Sequence, residues 1–159
     1  MNDDEVVRAR RIELVDESGD TSVVLSAGKG GRLRVHDAAG RPIAAIWADD
    51  EGGSIAVMND KGQVVAGMTS HKETGGGVAV ATNDGELAAQ ISASENGGCL
   101  SVDNANGEPV VSMEAVQGNG AMLVNSASGK MAVRIYADSH AGGVVDILDG
   151  KGGQRPLKP

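Results

Sequence analysis

The sequence predicts an all-β fold made of about seven hairpin repeats, each near 22 residues. Three observations predict it: a turn glycine that returns at a fixed interval, aliphatic columns of period 2 on both sides of that glycine, and no window with helical period.

The turn glycine closes the segments DESG, DAAG, NDKG, TNDG, NANG, SASG and DGKG, ending at Gly19, Gly40, Gly62, Gly85, Gly107, Gly129 and Gly152. The intervals are 21, 22, 23, 22, 22 and 23 residues. This spacing sets a lead-in of residues 1–10, a repeat domain of 11–152 and a tail of 153–159.

Seven residues before each glycine stand Ile12, Leu33, Ile55, Val78, Leu100, Met122 and Val145, and five before stand Leu14, Val35, Val57, Val80, Val102, Val124 and Ile147. The position between them is mixed: Glu13, Arg34, Ala56, Ala79, Ser101, Leu123 and Asp146. Period 2 with one apolar face is a strand. Four and six residues after the glycine the pattern resumes, with Val23, Ala44, Ala66, Ala89, Val111 and Val133, then Leu25, Ile46, Met68, Ile91, Met113 and Ile135.

Residues opposed across a hairpin share a face, so columns at odd distances before the glycine and even distances after it require an even loop. A four-residue loop such as Asn59-Asp60-Lys61-Gly62 meets this, opened by Asp, Asn, Ser or Thr and closed by a glycine at positive φ. A two-residue loop, Asp84-Gly85 or Asn106-Gly107, has the same parity.

A second glycine column, Gly31, Gly53, Gly76, Gly98, Gly120 and Gly143, lies nine before each turn glycine. In the four-residue register it faces the bulky sixth position, small against large. Glycines at a fixed phase in successive units serve geometry, whereas a phosphate cradle is used once. The dinucleotide pattern lacks its helix, and in Gly129-Lys130-Met131 no Ser or Thr follows the lysine, as a phosphate-binding P-loop requires.

About 14 strands in one sheet would carry an aliphatic stripe of roughly 1,300 Å², and a monomer rarely exposes more than a few hundred Å² in one patch. Two architectures cover it. Three chains each supply one wall of an elongated triangular prism, an intertwined homotrimer, with Ala44, Ala66 and Ala89 relieving crowding at the axis. Alternatively one chain coils as a β-solenoid with ~22-residue rungs. Pro156 and Pro159 discourage edge pairing, while Asp3, Asp4 and Glu5 against Lys151, Arg155 and Lys158 suggest end-to-end contact.

Composition narrows the function. The core residues are aliphatic, since Phe is absent and Trp and Tyr occur once each. A net charge of −8 opposes nucleic acid and anionic membrane as partners. A lone Cys99 forms no intrachain disulfide, and MNDDEVVRAR lacks the pattern of a secretory signal. The expected setting is cytoplasmic by default, or an exported or viral assembly.

Few residues suggest chemistry. His36 precedes a turn, and His71 and His140 fall in the longer connections three repeats apart, too far to share a metal in one chain. Cys99 has no nearby base, and Asp103 to Glu108 fails the spacing of a calcium loop because Ala105 occupies its third position. Asp84 to Gly129 holds six acidic residues and no Lys or Arg, a solvated band or a weak cation surface. Trp47 and Tyr136 share one phase, seven after their turn glycines, on the outer face, where a glycan would stack.

The opening ARRIELVDESGDTSVVLSAG, followed by LRVHDAAGRPIAAI, resembles a loose group of bacterial repeat proteins with units of the form LxVxDxxGxxxAxL, and in style the shafts of phage fibres and adhesins. The resemblance covers most of the chain and implies a hairpin-repeat architecture without an activity. The expectation is a non-enzymatic structural protein, a rigid shaft or self-assembling block, without cofactor or metal. The alternative is a binding module using the outer face for a glycan or cation.

Overall fold

The computed structural model describes residues 7–73, 75–95, 97–116, 118–138, 140, 142–149 and 151–155. Asp3, Asp4, Glu5, Pro156, Lys158 and Pro159, invoked above for the chain ends, lie outside the described residues. Thirteen antiparallel strands form one open sheet in strict chain order. They are β1 (Arg11–Val15), β2 (Thr21–Ala27), β3 (Gly31–His36), β4 (Pro42–Ala48), β5 (Gly53–Met58), β6 (Val64–His71), β7 (Gly75–Ala81), β8 (Leu87–Ser94), β9 (Gly97–Asp103), β10 (Pro109–Val116), β11 (Asn119–Asn125), β12 (Met131–Asp138) and β13 (Gly142–Ile147).

Every strand contacts only its neighbours in sequence. A solenoid stacks its rungs in parallel, so the solenoid alternative is corrected by this antiparallel meander. The expected fourteenth strand is reduced to an isolated bridge, Leu148 with Gln154, reinforced by the Arg155 N–H donating to the Ile147 carbonyl at 2.7 Å.

The turns correct the loop length. In each of seven turns the closing glycine donates its N–H to the carbonyl three residues back, Gly62 to Asn59 at 3.0 Å, while Asn59 N–H donates to the Gln63 carbonyl at 2.9 Å. The loop proper is thus three residues, odd rather than even, with the glycine at φ between 73° and 88°. Parity is restored one residue later. A register shift lies between Val57 and Met58, so that Met58 pairs with Val64, Val57 pairs with Ala66, and Val65 bulges out. The other five complete hairpins carry the same shift.

An odd loop plus one bulged residue gives the even sum that the columns demand. The resulting register, Ile55 with Met68 and Val57 with Ala66, is that of the two-residue alternative. The turns are braced by side chains: Asp37 Oδ1 accepts from the N–H groups of Ala39 and Arg41, both at 2.9 Å, and Asn59 Oδ1 accepts from Lys61 at 3.0 Å and Gln63 at 2.9 Å.

The second glycine column also changes partner. Gly53, Gly76, Gly98, Gly120 and Gly143 pair across the hairpin junctions with Ala48, Ser70, Ala93, Ala115 and Ala137, so small meets small and not the bulky sixth position. The tightest glycines are one residue earlier. A Cβ on Gly30 would sit 1.7 Å from the Ala48 carbonyl oxygen, and one on Gly52 1.9 Å from that of Ser70.

These two kinds of glycine separate in a mutational test. At Gly62, where φ is +79° and no atom lies within 4 Å of an added Cβ, alanine meets only backbone strain and lowers stability by about 1–2 kcal/mol. Gly30→Ala displaces backbone and lowers the melting temperature further. Thermal denaturation of both variants checks the order.

Candidate functional site

Because the register is preserved through every hairpin, the aliphatic columns merge into continuous rows on one face. The first row alternates Ile12, Leu25, Leu33, Ile46, Ile55, Met68, Val78, Ile91, Leu100, Met113, Met122, Ile135 and Val145, each opposite the next. A second row on the turn side holds pairs such as Val35 with Ala44 and Val80 with Ala89. A third, on the connection side, is the Gly and Ala shelf of pairs such as Ala48 with Gly53. The profile across each strand is therefore small, large, medium.

Among the described residues nothing covers these rows. Ile91 is 58% exposed, Val145 54%, Met68 51% and Met113 50%. The residues that are buried belong to the opposite face: Val24, Ala45, Ala56, Ser101 and Asp146 are all 7% exposed or less. They occupy the mixed column and its partners, which the period-2 reading assigned to solvent. Short side chains in the middle of a sheet are walled by neighbouring strands on both sides, whereas long aliphatic ones stand above their neighbours and need a second layer.

The opposite face ends in an ion pair. Asp146 accepts from Arg134 Nη2 at 2.6 Å and from Gln154 Nε2 at 2.7 Å, tying the tail to β13. Arg134 also lies over the Tyr136 ring, 4.3 Å from its centre. Opposite charges at paired positions of the last repeat were the signal for this contact, which the sequence reading passed over.

Trp47 and Tyr136 fall on the face opposite the aliphatic rows, both half-buried. Trp47 pairs with Arg32 and Ser54, and Tyr136 with Ala121 and Val144. They stand on β4 and β12, eight strands apart, or about 38 Å at the usual strand spacing, so the sheet does not bring them together. His71 closes β6, its Nε2 3.2 Å from Glu51 Oε2, while Lys72 Nζ lies 2.9 Å from Glu51 Oε1. His140 lies between β12 and β13, six strands away, and His36 ends β3 with Nδ1 shielded and unpartnered.

Cys99, on the face opposite the rows, pairs with Ser92 and Glu114. Asp103 to Glu108 forms an ordinary turn in which Asn104 Oδ1 accepts from Asn106 at 2.8 Å and Glu108 at 3.1 Å. Among the described residues no three His, Cys, Asp or Glu side chains cluster to hold a metal ion. No helix of the described residues is long and apolar enough to cross a membrane.

The turn edge also carries ion pairs and buttressed carboxyl groups. Hydrogen bonds from Arg41 hold the Asp37 carboxyl below its ordinary value, the Lys61 ammonium does the same for Asp84, and backbone N–H groups of Gly153 and Lys151 do so for Asp149. A carboxyl lowered in the folded state adds stability that is complete above about pH 4 and is lost as pH falls through the folded value. Melting temperature accordingly declines as pH falls below that value. Asp37→Asn reduces the decline, and a melt series in acid checks it.

No protein-family model matches the chain, and no curated protein matches it significantly.

Proposed function

We propose that the protein is a non-enzymatic structural element, a rigid β-shaft or building block that assembles by covering its aliphatic face with further copies of itself. The single observation that carries the reading is that face: three continuous rows over 13 strands, with nine of the thirteen large-row side chains 40–58% exposed. Thirteen strands at about 4.8 Å make a stripe ~60 Å long, well beyond the apolar patch of an ordinary monomer and sufficient for a stable interface.

The size profile across the strands favours three chains over two. Two sheets packed face to face stay about 10 Å apart across their width, a spacing that suits side chains of uniform length. Three walls of about 20 Å meeting as a prism instead leave ~6 Å between wall centre and axis and converge towards the corners. Large residues suit the middle of such a wall, and the Gly and Ala shelf suits the corner. Crowding thus acts at the corners rather than on Ala44, Ala66 and Ala89 at the axis. The sheet runs from β1 to β13 without a gap, which supports one chain per wall.

A substitution pair on one strand tests the reading. Ile91 stands in the large row and Ser92 beside it points to the opposite face. The expected solution mass of the native protein is a multiple of three times the 16.1 kDa of one chain. Ile91→Asp abolishes the assembly, and Ser92→Asp keeps it. A native mass of one chain at all concentrations overturns the reading.

A further inference from the structure

The sheet has two edges, and they differ. The outer edge of β13 is partly occupied by the chain itself, through the bridge of Leu148 with Gln154 and the hydrogen bond from Arg155 N–H to the Ile147 carbonyl. The outer edge of β1 meets no other strand among the described residues. Ala27 N–H donates to the Arg10 carbonyl at 2.9 Å, so the backbone groups of Arg10, Ile12 and Leu14 face β2. Those of Arg11 and Glu13 alternate outward, unpaired, on a strand without proline or lysine.

We infer that β1 is a docking edge for β1 of a second copy, the two strands pairing antiparallel about a two-fold axis through Ile12. The inference rests on the prism reading for its final stoichiometry and on the edge alone for its contact.

Strand direction and register both select this arrangement. An odd number of antiparallel strands leaves β1 and β13 running the same way, so head-to-tail stacking would join them in parallel, against the pattern of the whole sheet. Head-to-head stacking of β1 on β1 continues it. A slip of one residue would bring aliphatic side chains to the polar face. Of the registers that keep the faces, centring on Arg11 or on Glu13 sets like charges opposite each other. Centring on Ile12 places each Arg11 opposite the partner's Glu13. The Arg11 and Glu13 side chains are 59% and 40% exposed and already form an ion pair within the strand. Two such pairs, inverted, make an alternating square of four charges. On the other face Ile12 meets Ile12, so the row of large side chains crosses the junction unbroken.

A two-fold contact closes on itself. Two three-chain shafts joined at β1 make a six-chain particle with dihedral symmetry and no endless fibre.

The experiment is the solution mass of the full-length chain with two charge variants, Glu13→Arg and the double variant Arg11→Glu with Glu13→Arg. Six chains are expected for the native protein, three for Glu13→Arg, and six again for the double variant, whose swapped charges restore complementarity. Recovery in the double variant separates edge pairing from misfolding. A native mass of three chains, or six chains unaffected by Glu13→Arg, overturns edge pairing and leaves the prism standing. A native dimer that Glu13→Arg splits and the double variant restores supports edge pairing and overturns the prism. A native monomer overturns both.

Discussion

Parity governs this fold. A strand shows alternate residues to opposite faces, so a sheet that is to keep one face aliphatic across 13 strands must count an even number of residues through every hairpin. The chain achieves this with two odd features in series: a three-residue loop closed by glycine and one bulged residue on the returning strand. Each solves a local problem. The glycine at positive φ ends a tight turn without strain, and the bulge matches the twist that the turn imposes. Removing either alone would turn every following side chain over, so the apolar face depends on their coupling in all six complete hairpins.

Much of this was legible in the sequence. The aliphatic columns announced both strands of each hairpin because no polar residue interrupts them, and their parity limited the loop to even lengths. The division of that even number into loop and bulge was hidden, since the bulged positions, Ser22, Ile43, Val65, Ala88, Val110 and Ala132, have no one residue type common to all six. Partners across the junctions were hidden for the same reason, and with them the pairing of the glycine column with Ala and Ser. The burial of Ser101 arises from a neighbouring strand on each side, which no single repeat displays, and that of Asp146 from Arg134 on β12 together with Gln154 of the tail. Trp47 and Tyr136 stand on the face opposite the aliphatic rows, but alternation in one strand says nothing of the separation across eight.

The physical picture that results is a wall rather than a globule. Its polar face is finished within the chain, by short central side chains, by the Arg134 and Asp146 pair, and by turns bound to each other through contacts such as Lys61 with Asp84 at 2.7 Å. Its aliphatic face is unfinished. Rows of Ile, Leu, Val and Met at roughly half exposure are the kind of surface that defines an interface, and the graded size across each strand shapes what it accepts.

The covering of that face is most directly measured by methionine oxidation. Met68 and Met113 stand in the large row and are 51% and 50% exposed in the single chain. If neighbouring chains cover the row, dilute peroxide oxidises both far more slowly in the native protein than in the denatured one, as followed by peptide mass spectrometry. Oxidation of Met68 and Met113 in the native protein at the denatured rate would contradict the account, because the aliphatic face would then be open to water.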